Sequence, residues 1–381
     1  MLVDVIAGAR PNFVKVAPII AAIRKRADEG AAIGYRLIHT GQHYDPRLSA
    51  MFFEQLAIPL PDHNLEVGSG TQAEQTGAIM QRYEAVLIDR PSDLCLVVGD
   101  VTSTMACAIT AQKLHVAVAH VEAGIRSGDW TMPEEINRLA TDAVTDWFFT
   151  TSESAGEALR QSGVPAGAIF FVGNTMIDTL LANRARFTEP VFWRELSLAP
   201  GGYIVVTMHR PANVDDAGQL ETFVRTIGES AQGLPVVFPV HPRTAGTLAR
   251  LGGLPPNIHP VEPLAYLEFN YLVERARAVI TDSGGITEEA TVLGVPCMTL
   301  RNTTERPETV TMGTNELIGT DPAAIAPWMR RLFAGKWKTG SVPPLWDGQA
   351  GERIAETLLS LPDRALLGRP GASLRPSPPP L

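Results

Sequence analysis

The residues from Thr281 to Pro296 read TDSGGITEEATVLGVP, and their types and order fit the binding of a diphosphate. A strand end that runs into Ser-Gly-Gly and then a helix aims several unpaired backbone N–H groups, and the positive end of the helix dipole, at one place. Gly284 and Gly285 have no side chain to hold an anion away, and the Ser283 hydroxyl can donate to the same phosphate. Glu288 and Glu289 are expected in the first helical turn, where carboxylates offset the dipole. One of them could instead accept from a ribose hydroxyl. Groups able to move protons lie elsewhere: Asp100 after LCLVVG, Glu122 in HVEAGIRSGD, and Glu134 with Glu135 after Pro133. Asp100 has an ordinary alternative as a helix N-cap, and Glu134 and Glu135 as first-turn residues. Glu122, delivered by an apolar strand into a turn, is poorly explained by packing. Three carboxylates near one cleft could include an acid and a base. Cations inside motifs are Arg10, Lys15, His209, Arg210 and Arg306, the arginines matching phosphate through their planar fork. His241 in PVHP fits structural hydrogen bonding better.

These residues need elements to hold them. Leu2 to Ala7, Arg36 to His39, Leu94 to Val98, Val116 to Val121, Trp147 to Thr150 and Ile169 to Val172 read as strands separated by helical patterns. Phe13, Val16, Ala17, Ile20 and Ile23 make one such helical stripe. The pattern then restarts, with Tyr203 to Met208, Val236 to Val240, Ala278 to Thr281 and Val295 to Leu300. Short apolar strands alternating with helices specify parallel sheets covered on both faces. Two α/β domains are expected: 1–175, with a helix at 351–366 packing back on it, and 176–350, followed by a disordered tail at 367–381 rich in Pro, Arg, Ser and Gly. The motifs all follow strands, and ligands of such sheets bind beyond the strands' carboxyl ends. The expectation is one inter-domain cleft.

Composition bounds the partners. The 381 residues are 45% hydrophobic and 19% charged, as in a globular protein. A net charge of -9 argues against a nucleic-acid backbone as ligand. No apolar run approaches the roughly 18 residues of a spanning helix, and MLVDVIAGARP has no signal-peptide pattern, so a cytoplasmic protein without membrane insertion is expected. Cys95, Cys107 and Cys297 show no C-x-x-C spacing and are expected to be reduced, buried packing residues. No metal-ligand spacing, G-x-G-x-x-G or P-loop lysine occurs, so no metal, nicotinamide or other cofactor is expected.

The segments GARPNFVK, GQH, VGDVTST, HVEAGIRSGD, MPEEINR, VGNTMID, MHRPAN, PVHPRT, TDSGGITEEA and NTTERPE occur in this order. Together they resemble the non-hydrolysing UDP-N-acetylglucosamine 2-epimerases over nearly everything from Met1 to about Leu361. The resemblance implies two Rossmann-like domains facing a cleft, glycosyltransferase-B-like. It further implies reversible conversion of UDP-GlcNAc to UDP-ManNAc by elimination and re-addition of UDP, no cofactor, and a homodimer. By motif, Arg10, His209, Ser283, Gly284, Gly285 and Arg306 would hold the diphosphate, Glu289 the ribose, and Phe269 would lie near the uracil. Asp100, Glu122 and Glu134 would be the acid/base carboxylates, with His209 and Lys15 also counted in the catalytic set. Leu264 stands where the family often has Gln, and Ala212 and Met208 also depart from the pattern. Rivals are a sibling epimerase of a UDP-diacetamido uronic acid sugar, against which Glu305-Arg306-Pro307 speaks, and a glycosyltransferase, whose spaced glutamate pair is absent.

Overall fold

The computed structural model of the chain describes residues 1–8, 10–41 and 55–361, except for the side chains of Arg10 and Pro11. Gln42 and His43 of the GQH motif and the tail at 367–381 lie outside the described residues. The chain divides into two compact units, one from Met1 to Ala182 with the return from Pro344, the other from Asn183 to Pro343. The division falls a few residues beyond the expected 175. Helix Thr175–Asn183 belongs to the first unit because it buries Ile177 and Leu180, and because Thr179 donates to Val14 O at 2.6 Å.

The first unit is a seven-stranded parallel sheet. Its strands are β1 (Leu2–Ala7), β2 (Gly34–His39), β3 (His63–Asn64), β4 (Leu94–Val98), β5 (Ala117–Val121), β6 (Trp147–Thr150) and β7 (Ile169–Phe171). Their order is β3-β2-β1-β4-β5-β6-β7, so the winding reverses between β1 and β4. The strands are nearly continuous apolar runs because helices cover both faces. Where β1 must carry a charge, Asp4 is fully buried and answered by Arg36 at 2.7 and 2.8 Å, with Tyr83 and Ser92 donating at 3.0 Å. Helix Ala350–Leu358 returns to pack on helix Arg10–Asp28, and Asp178 accepts from the N–H groups of Ala350 and Gly351 at its start. A Cβ at Gly351 would stand 2.7 Å from Pro18 O, so only glycine permits this approach.

The second unit repeats the plan. Its strands β8 (Ile204–Thr207), β9 (Val236–Pro239), β10 (Ile258–Val261), β11 (Ala278–Thr281), β12 (Cys297–Thr299) and β13 (Asn315–Leu317) run parallel in the order β10-β9-β8-β11-β12-β13. The reversal falls between β8 and β11. One face buries Phe223, Phe238 and Met298, the other Tyr203, Val279 and Leu272. The sequence reading finds the interior strands and misses β3, β10 and β13, which are short or polar. β10 carries Pro260 and lies at an edge, where a missing ladder donor is tolerated. Among the described residues, no helix is long and apolar enough to cross a membrane. All three cysteines are free and buried, and burial pushes the Cys297 thiol up to about 12.

Candidate active site

In each unit the polar motif residues gather where the strand order reverses, the place where carboxyl-end loops diverge and leave room for a ligand. In the first unit, β1 feeds the helix bearing Asn12 and Lys15, and β4 feeds Gly99-Asp100. Lys15 Nζ lies 2.8 Å from Glu122 Oε2, a buried ion pair. Gly99 sits at φ 72°, a backbone that favours glycine, and a Cβ there would stand 3.2 Å from Lys15 Nζ and press on the ammonium. Glu122 itself holds a left-handed backbone at φ 68°, uncommon for a residue with a side chain and a mark of a turn fixed by its surroundings.

Asp100 does not cap the helix that follows. Val101 occupies the cap of helix Thr102–Lys113 without a side-chain bond, while the Asp100 carboxylate pairs with Arg138 and its carbonyl accepts from Asn137 Nδ2 at 2.9 Å. Helix Pro133–Val144 explains this. Glu135, Asn137, Arg138 and Asp142 are buried on it while Ile136 is exposed, so it turns a polar face inward. Glu135 accepts from the N–H groups of Ser127 and Gly128 and from Arg138. Burial pushes its carboxyl up, but these bonds outweigh it and hold the group below the usual range. Glu134 starts the same helix in an exposed position. Sequence reasoning missed Arg138 and Asp142. Their spacing from Glu135 keeps one helical face, a signal easily mistaken for a solvated charged stripe.

In the second unit, helix Gly284–Leu293 begins directly after Ser283, whose hydroxyl makes no capping bond. Glu288 and Glu289 therefore lie beyond the first turn, and both are buried, which removes the dipole explanation offered for them. Glu288 pairs with Arg306 at 2.5 Å. Burial pushes the Glu289 carboxyl up to about 7, against hydrogen bonds from Tyr266 and Asn270. His209 Nδ1 lies 2.8 Å from Asp282, which also accepts from the N–H groups of His209 and Arg210 and from Asn213 Nδ2. Asp282 is fully buried; burial raises its carboxyl, but His209 and these donors hold it low. This aspartate, which the sequence marks as the opening of the Ser-Gly-Gly turn without giving it a role, holds the histidine from a position two residues ahead of the helix start. Arg301 grips Glu305 at 2.7 and 2.8 Å, with Arg210 at 3.7 Å, and a Cβ on Gly284 would stand 3.9 Å from both side chains of the Arg301–Glu305 pair. His241 caps its helix by accepting from Arg243 N, a structural role. Phe269 and Leu264 pack half-buried against the apolar cluster around Tyr203. The Arg10 side chain lies outside the described residues.

Two doubly wound parallel sheets, one with carboxylates and cations at its reversal point and the other with an anion-ready helix start, define a glycosyltransferase-B-like α/β enzyme. Residues 25–359 match the family model described as UDP-N-acetylglucosamine 2-epimerase. The UDP-N-acetylglucosamine 2-epimerase of Methanocaldococcus jannaschii is 40% identical over 371 residues, 94% of this chain and 99% of that protein. Its crystal structure in complex with UDP-GlcNAc and UDP superposes with a TM-score of 0.84 at 38% identity, covering 94% of this chain and all of the other. The UDP-2,3-diacetamido-2,3-dideoxy-D-glucuronate 2-epimerase of Pseudomonas aeruginosa is also 40% identical, over 95% of this chain and 100% of its own length. The chain belongs to the UDP-N-acetylglucosamine 2-epimerase family.

Proposed function

We propose that the protein interconverts UDP-GlcNAc and UDP-ManNAc by inversion at C2. The observation that carries this is the pairing of functions: a buried Lys15–Glu122 pair and a half-buried Asp100–Arg138 pair at the reversal point of one sheet, and a histidine held by Asp282 just ahead of a glycine-opened helix at that of the other. The C2 proton of the sugar is not acidic enough for direct removal, because its carbon bears an acetamido group and no carbonyl. Breaking the C1–O bond sends the electron pair out with UDP and leaves C1 cationic. The C2 proton then passes to a carboxylate as the C1–C2 double bond of 2-acetamidoglucal forms. Return of UDP to C1, with a proton delivered to the opposite face of C2, completes inversion. His209, Ser283, the N–H groups at Gly284 and Gly285, Arg10 and Arg306 would stabilise the departing diphosphate. Asp100, Glu122 and Glu134 would supply the acid and base, Lys15 pairing with Glu122. Glu289 would take the ribose hydroxyls, with Phe269 near the uracil.

The relative from Pseudomonas aeruginosa supports a second reading, the same chemistry on a diacetamido uronic acid sugar. Incubating the protein with each UDP-sugar, without added nicotinamide or metal, and following the anomeric protons by NMR separates the two. UDP-ManNAc formed from UDP-GlcNAc supports the first. Conversion of the uronate alone would replace it. We further assign the enzyme to the cytoplasm as a homodimer, to be checked by cell fractionation and by sedimentation equilibrium.

A further inference from the structure

His120, in the segment HVEAGIRSGD, is fully buried and has no part in the chemistry above. Its ring lies between two acceptors, with Nδ1 2.7 Å from Asp142 Oδ1 and Nε2 2.8 Å from Gly99 O. A carbonyl oxygen can only accept, so Nε2 carries a proton. Asp142 is held as a carboxylate by the Arg126 guanidinium. Its second oxygen already takes the Gly124 N–H at 3.1 Å and Arg126 at 2.7 Å. An ionised carboxylate also only accepts, so Nδ1 carries a proton as well.

The ring joins the two turns that matter. Through Nε2 it holds the carbonyl of Gly99, the residue just before Asp100. Through Asp142 it reaches the N–H of Gly124, in the turn that carries Glu122. Both glycines stand in left-handed backbone, at φ 72° and 78°, so each turn has one geometry to be held in. We propose that His120 donates from both ring nitrogens and acts as a positioning residue that keeps the Asp100 and Glu122 turns in mutual register. This rests on the proton-transfer roles proposed for those two carboxylates.

The test uses the full chain labelled with ¹⁵N-histidine. At about pH 7.5, long-range ¹H–¹⁵N spectra should show two protonated ring nitrogens for His120, assigned by their loss in His120→Gln. Asp142→Asn should leave the same ring with one bare nitrogen. In His120→Gln, kcat should fall on the order of 10–100-fold, with the UDP dissociation constant unchanged because the nucleotide seat belongs to the other unit. A bare nitrogen in the wild-type ring overturns the double donation, and full kcat in a folded His120→Gln protein overturns the positioning role. If His120→Gln does not fold, Asp142→Asn and the wild-type spectrum still decide whether both nitrogens donate. A wild-type protein that epimerises no UDP-sugar would remove the functional reading, and the positioning role with it, while the spectrum still reports the ring.

Discussion

Replacing Glu289 by glutamine should flatten the pH dependence of UDP-GlcNAc binding. The wild-type carboxyl is pushed up to about 7 by burial, with neighbouring Glu288 adding to the shift. Accepting a ribose hydroxyl on each of its two oxygens calls for the ionised form, so binding below that value has to release a proton. Affinity therefore rises with pH until the group is ionised in the free protein, and levels off above. Each pH unit below the free value corresponds to about tenfold, or about 1.4 kcal/mol, which makes the dissociation constant roughly thirtyfold weaker at about pH 5.5 than at about pH 8.5. Isothermal titration in buffers of different ionisation enthalpy reads both the affinity and the released proton. UDP-GlcNAc serves better than UDP, whose free terminal phosphate would add its own titration. Glu289→Gln should bind more weakly than wild type at high pH, and it subtracts every other titrating group. A flat wild-type profile, or a slope that survives in Glu289→Gln, would show that Glu289 does not give up a proton on binding.

Asp100→Asn, Glu122→Gln and Glu134→Gln should each retain UDP binding and lose on the order of 10²–10⁴-fold in kcat, measured by initial rates beside a UDP titration; near-normal turnover would leave them structural. Gly124→Ala places a Cβ 2.3 Å from Ala155 O on a backbone at φ 78°, and should destabilise the fold by more than about 2 kcal/mol in urea denaturation. Asp4→Ala strands Arg36 in the first unit's interior and should cost about 3–5 kcal/mol by the same measurement. An unchanged urea midpoint in either variant would mean that its local environment rearranges freely.

Much of the fold was legible because the interior strands of a parallel sheet are short apolar runs between helical stripes, and β1, β4, β6 and β11 match the expected limits. Edge strands are covered on fewer sides and need no such run, which is why Ile258–Val261 and Asn315–Leu317 escaped. In the site, side chains that would meet ligand stood out as polar residues just after strands. Those that hold them did not. Arg138, Asp142 and His120 do their work buried, and a sequence shows an aspartate or arginine without showing whether water or another side chain answers it. Glu288 and Glu289 make the same point: on composition they suited a helix start, and only the helix boundary at Gly284 shows that the dipole does not explain them.

Turnover in deuterium oxide separates inversion by departure of UDP with transfer of the C2 proton from any route that leaves the C2–H bond intact. UDP-GlcNAc is incubated with the protein to equilibrium, and C2 of both sugar nucleotides is examined by NMR. Deuterium at C2 of UDP-ManNAc and of recovered UDP-GlcNAc is the expected result. Conversion to UDP-ManNAc with protium fully retained at C2 would contradict it.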